Sequence, residues 1–176
     1  MATAFPNWRI IRSVIWSKAF PLLLVLCVGL TAILVAGCGD RRDSLYPSLA
    51  DAIKSGEITR GWIPDFLPGS SGTIHIIYAP ESPRTYCGFE FSPDDSQRLK
   101  ENPTGIDALP PSVRHVRSPG ESWWPAVLKG SLDVEKIKMA GFKLYKVEEP
   151  APAGSTILLF AIDWTKGRGF FYRTNE

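Results

Sequence analysis

Histidine and cysteine are scarce in this 176-residue chain, at two and three residues. Metal ligation needs two or more His, Cys or carboxylate groups brought together. Neither His75 nor His115 has a second ligand at such a spacing, so no metal site and no cofactor is expected. No Gly-x-Ser-x-Gly elbow marks a hydrolase nucleophile. Gly69-Ser70-Ser71-Gly72 lacks the following Lys and Ser/Thr of a phosphate loop. Asp94-Asp95 and Glu148-Glu149 are sequence neighbours that point apart, whereas acid/base work needs converging groups. No repeat of solenoid length and no long low-complexity tract is present. No catalytic residue is named on this basis, although active sites assemble in space and not in sequence.

Acidic residues are also missing from the start of the chain, where the first is Asp40. Arg9, Arg12 and Lys18 precede an uncharged run from Ala19 to Gly37. A basic head, an apolar body and small residues before a cut are the anatomy of a secretory signal. Val35-Ala36-Gly37-Cys38 resembles the bacterial lipobox, which implies cleavage before Cys38 and lipidation of its thiol. Several acyl chains would hold firmly, because each buried CH₂ contributes ~0.8 kcal/mol. Gly39, standing where an Asp would favour retention, points to the outer membrane over the inner. The expected division is a signal over 1–37, a lipid-anchored tether over 38–45 and one globular domain over 46–176. The rival is an uncleaved single span, since the run approaches the ~20 residues that cross a bilayer. Both place the domain outside the cytosol.

Loss of residues 1–37 would leave 139, enough to bury roughly two-thirds of the unfolded surface in one core. Beyond Gly37 stand 17 basic and 18 acidic residues, a net charge of −1. That balance excludes the dense basic patch of a nucleic-acid binder. Cys87 is then the one thiol in the domain, and its alternation with Phe89 and Phe91 turns it toward the core.

Periodicity gives an α+β fold: an antiparallel sheet of about five strands, with a short N-terminal helix and long Pro-rich loops packed on it. Leu49, Ala52 and Ile53 at helical spacing predict a helix over 47–55, with Pro47 near its start and Gly56 just past its end. Strands are predicted over 73–78, 85–92, 142–147, 156–162 and 169–173, the fourth apolar throughout and therefore central. Trp164 to Gly167 reads as the last hairpin loop. A short helix is predicted from Pro93 to about Glu101, and about one turn from Ala126 to Gly130.

Two stretches break the pattern. Gly61-Trp62-Ile63-Pro64-Asp65-Phe66-Leu67-Pro68 carries two prolines that forbid a regular helix or central strand. It reads as a plug for the core, with Trp62 as a large buried contributor or, alternatively, a ligand-binding aromatic. Residues 102–125 hold five prolines and end in Trp123-Trp124-Pro125, a loop long enough to carry function. Its two tryptophans either cover the sheet edge together or divide, one into the core and one to the surface.

The segment from Tyr46 to Ala52, then Gly56, then Arg60 to Pro68 resembles a family of small exported bacterial proteins, the YbbD head domain family. Many of these are lipoproteins, and the family has no assigned activity. Trp123-Trp124-Pro125 and Phe170-Phe171-Tyr172 fit the same resemblance, whereas the turn from Ala79 to Arg84 is less Asp/Asn-rich than expected. The resemblance implies fold and compartment and transfers no catalytic residue.

The expected function is a lipid-anchored envelope protein that acts by binding another envelope protein or a small ligand. Trp123, Trp124 and Arg117 are its candidate contact residues, with Trp62 as a further one. The rival is a small envelope enzyme with a site assembled around His75 or His115 and a carboxylate. A cleft that gathers a histidine and an acid would favour the enzyme; an exposed Trp patch without one would favour binding.

Overall fold

In the computed structural model, which describes residues 41–82, 84–151 and 154–175, the domain is built on one long sheet. The proposed signal, Cys38 and the start of the tether lie outside the described residues. The strands are β1 (Arg42–Ser48), β2 (Gly72–Tyr78), β3 (Thr85–Glu90), β4 (Thr104–Gly105), β5 (His115–Val116), β6 (Gly130–Ser131), β7 (Lys143–Ala151), β8 (Gly154–Asp163) and β9 (Arg168–Asn175). Three short helices accompany them: α1 (Leu49–Lys54), α2 (Gln97–Glu101) and α3 (Val134–Met139). The sheet runs β1-β2-β3-β9-β8-β7-β4, and every neighbouring pair is antiparallel. β5 and β6 form a separate two-stranded ribbon.

The fold is α+β, but its sheet has seven strands among the described residues and not about five. The two additions are the sheet's edges. Residues 42–45, expected in a polar tether, are the start of β1, whose side chains are mostly exposed. An edge strand tolerates charge and proline because one row of its backbone groups faces no partner. Pro47 therefore sits in β1, and the helix begins later, where the Ser48 hydroxyl accepts from the Asp51 N–H at 3.2 Å. β4 is only two residues long, too short to show a period. α3 is a further element that the periodicity does not reveal. Asp133 caps it by accepting from the N–H groups of Glu135 and Lys136, but Ile137 is its one fully buried side chain.

Both faces of the sheet are covered. Ile74, Ile76, Cys87, Phe89, Leu158, Phe160 and Phe171 alternate onto one face, beneath α1, α2 and the plug residues Ile63, Phe66 and Leu67. Ile77, Tyr86, Ile157, Leu159, Phe170 and Tyr172 alternate onto the other, beneath the long loop and α3. β8 feeds both cores, as its continuous apolar run requires. Each fully buried Ile, Leu or Phe contributes roughly 1.5–3 kcal/mol, so these two layers dominate stability.

Gly167 closes the β8–β9 hairpin at φ +60°, and a Cβ there would lie 2.1 Å from the Phe91 carbonyl oxygen. That close approach lets the Phe91 N–H donate to the Gly167 carbonyl at 2.7 Å. The β3–β9 pairing joins the first three strands to the last ones, setting Cys87 opposite Phe171 and Gly88 opposite Phe170.

Candidate functional site

The sequence between Arg117 and Pro125 has little regular structure, and it lies on the second face across β2 and β3. Trp124 is 2 % exposed, and its indole N–H donates to the Leu128 carbonyl at 2.9 Å. Its edge meets Tyr86 and Phe170. Trp124 is thus removed from the candidate contact surface, because a buried and hydrogen-bonded indole cannot meet a ligand.

Trp123 behaves differently. It is half-buried and stacks on the His75 imidazole, with ring centroids 5.1 Å apart. The pair divides as one of the two expectations had it, but over a sheet face and not at an edge. Gly88 makes room: a Cβ there would lie 3.1 Å from the Trp123 ring and 3.0 Å from that of Phe170.

Beside Trp123 is a hollow of about 220 Å³ lined by Thr73, His75, Gly88, Glu90, Arg168 and Phe170 among others. His75 reaches it through an irregularity in β2, where the register shifts between Gly72 and His75. Thr73, at the shift, holds φ +47°, a strained setting for a β-branched residue. Bulges of this kind re-aim side chains beside sites. Glu90 and Arg168 stand opposite one another on β3 and β9. Arg168 is held by Asp163 at 3.5 Å, and its Nε has no partner among the described residues.

The hollow therefore gathers a histidine, an acid and a tryptophan. Among the described residues no hydrogen bond or ion pair links His75 to Glu90. His115 is elsewhere, exposed on β5 with Nδ1 3.5 Å from the Ser131 hydroxyl. No cluster of three or more His, Cys, Asp or Glu side chains suited to a metal occurs among the described residues.

The other candidates separate. Trp62 lies under the opposite face, half-buried and stacked on Tyr78 at 4.2 Å, so it shares no surface with Trp123. Arg117 is exposed at the far end of the loop. Next to it, Ser118 lines a second hollow with Arg41, Arg84 and Tyr86. Burial, then the neighbouring Tyr172, pushes the Tyr86 hydroxyl up to about 12, against the pull of Arg84, Arg117 and Arg41. Burial likewise raises the Cys87 thiol, so that no thiolate forms near neutrality. The sequence reading missed Glu90, Arg168 and Thr73, which converge only through the β2–β3–β9 register.

A larger hollow, about 590 Å³, lies along the β4–β7 edge. Two of its charged groups, Asp107 and Lys138, pair with each other at 3.5 Å, and Asp107 is almost fully exposed. Lys143 is its remaining charged group, and no histidine or tryptophan lines it, so it is the weaker site.

No curated protein and no solved structure matches the chain. A family model does, over residues 40–90, ending where β3 ends; Trp123 and the closing strand, read into the same resemblance, lie outside it. The family that residues 40–90 match, as the stretch from Tyr46 to Pro68 led one to expect, is the YbbD head domain.

Proposed function

We propose that this is a lipid-anchored cell-envelope protein that acts by binding, through the hollow beside Trp123. The observation that supports it most is Trp123 itself: a half-exposed indole laid over Gly88 and His75, next to Arg168 and Glu90. Large aromatics beside charged groups are the usual anchors of binding surfaces. Size selects the ligand class. Small-molecule pockets run to roughly 300–1,000 Å³, and the hollow has about 220 Å³. It suits one side chain of a partner protein, with an apolar group on Trp123 and a carboxylate toward Arg168.

The anchor rests on Val35-Ala36-Gly37-Cys38 and the apolar run before it. Intact mass of the membrane-extracted protein, beside a Cys38→Ala variant, tests it: an acylated chain starting at Cys38 is expected. For the binding surface, a photoreactive residue replaces Thr73 in the full chain, with a control at Ile53, exposed on α1. Specific adducts are expected from position 73 alone, and Trp123→Ala should remove them. Equal labelling from both positions would overturn the assignment.

The hollow gathers a histidine and an acid, the mark set above for the enzyme. His75 is stacked on Trp123, however, and no hydrogen bond or ion pair joins it to Glu90 among the described residues. An enzyme in which His75 works with Glu90 is therefore the second reading. Turnover with a bell-shaped pH profile, lost in His75→Gln, would favour it.

A further inference from the structure

β2 and β3 end, opposite the Trp123 hollow, in a second and more basic one. It holds about 200 Å³ and is lined by Arg41, Ser82, Arg84, Tyr86 and Ser118 among others. Arg41 and Arg84 line it, Arg117 adjoins the lining residue Ser118, and the charges of all three act on the Tyr86 hydroxyl. Arg41 is paired with Glu121 at 2.6 Å. Arg84 and Arg117 have no carboxylate partner among the described residues, although Glu81 stands three positions before Arg84 and Asp43 on β1 pairs with Ile77, which lines the hollow. Ile77, Ala79 and Pro119 form its apolar side, and two serine hydroxyls complete the lining. Ser82 Oγ accepts from the Arg84 N–H and Ser118 Oγ from the Gly120 N–H, both at 3.2 Å, so each O–H stays free to donate outward.

Unpaired guanidinium forks beside free hydroxyls match the oxygens of a phosphate group. We propose that this hollow seats the phosphate of an anionic phospholipid, holding the Arg84–Arg117 end of the domain against the membrane surface. Chain length supports that source of phosphate. Only two residues, Gly39 and Asp40, separate Arg41 from Cys38, a reach of about 10 Å at full extension. If Cys38 is acylated, Arg41 enters the domain at headgroup level, and the hollow comes with it. The inference thus rests on the lipid-anchor reading. It also explains which end of the sheet is free: the Trp123 hollow, at the other end of β2 and β3, points away from the bilayer toward a partner. Each arginine near an anionic surface strengthens attachment about fivefold.

The full chain in micelles of uncharged detergent provides the test, with the arginine Nε–H signals followed by NMR. Phosphatidylglycerol is added in steps; phosphatidylcholine and inorganic phosphate are added to matched phosphate concentration. The Arg84 and Arg117 signals are expected to shift saturably with phosphatidylglycerol alone. The exposed double variant Arg84→Gln/Arg117→Gln should weaken that response about 30-fold as read from Tyr86. An equal response to inorganic phosphate would reveal a free-anion site and overturn the headgroup assignment, as would silence toward phosphatidylglycerol. Intact mass of the same sample keeps the two ideas apart. An acylated Cys38 with unresponsive arginines defeats only the headgroup site, and responsive arginines with an unmodified Cys38 defeat only the anchor.

Discussion

The Tyr46 hydroxyl donates to the Glu57 carboxylate at 2.9 Å, tying the edge strand β1 to the turn after α1. Glu57 is 3 % exposed, and the same oxygen also receives Tyr78 at 3.3 Å and Arg60 at 2.8 Å. Its other oxygen is buried without a partner among the described residues. One carboxylate thus joins β1, β2 and the plug, where Trp62 stacks on Tyr78. Removing it strands the buried Tyr78 hydroxyl and the half-buried Tyr46 one, at roughly 1 kcal/mol or more each. Glu57→Ala should therefore lose about 2–3 kcal/mol in urea unfolding, and Glu57→Gln, which keeps an acceptor, about half that. A loss below about 0.5 kcal/mol for the alanine variant would mean that water replaces the carboxylate and that the junction is not a keystone.

Gly88 tests the link between sheet packing and the binding surface. A methyl group there meets Trp123 and Phe170 at 3.0–3.1 Å, and the indole is the one with solvent to move into. Gly88→Ala should shift Trp123 off His75, seen as a red shift in the part of the emission that a Trp123→Phe variant removes. Overpacking of this kind costs about 1–3 kcal/mol. Adducts from position 73 should fall in parallel. Unchanged emission would show that β3 yields instead, and the indole would then be held by more than the space at Gly88.

Periodicity was enough to find the inner strands and to set Cys87 beside Phe89 in the core, because a half-buried strand writes its face every second residue. It failed where burial is slight. β1 exposes Arg42, Asp43, Leu45 and Pro47, and so reads as a tether. β4 has two residues and α3 one fully buried side chain, too few to repeat. The candidate site was half legible. Trp123 stood out by type, but which of two adjacent tryptophans stays near the surface depends on Gly88, a residue on another element. Glu90 and Arg168 face each other through a pairing between residues 78 positions apart, which no local pattern records.

Thr73 holds a positive φ of 47° at the register shift that delivers His75 to its hollow. A strained, β-branched residue there costs of order 1–3 kcal/mol, part of which glycine would return against its own entropy of roughly 0.5–1 kcal/mol. Thr73→Gly should accordingly raise stability by about 0.5–1 kcal/mol while leaving the His75–Trp123 stack in place. Thermal unfolding reads the first effect and Trp123 emission the second. A destabilised variant would indicate that the threonine side chain, and not the bulge, holds this end of β2.

Alkaline pH probes the two cores separately. Burial raises the Tyr86 hydroxyl from an ordinary 10.0 to about 12 on one face and the Cys87 thiol above its ordinary 9.0 on the other. In both cases the folded state keeps a proton that the unfolded chain gives up first. Stability from these groups is complete below the unfolded values and is lost as pH climbs past them toward the folded ones. The urea midpoint should therefore stay level up to about pH 8.5 and fall steadily through pH 9 to 12. Tyr86→Phe should flatten that fall above about pH 10, and Cys87→Ala should flatten it from its onset onward, whatever each does to absolute stability. Because Arg84, Arg117 and Arg41 draw the Tyr86 hydroxyl downward, Arg84→Gln/Arg117→Gln should push its titration higher still. A titration unmoved by that double variant would show the guanidinium groups too well screened to act on Tyr86, and would weaken the case for a shared anion hollow.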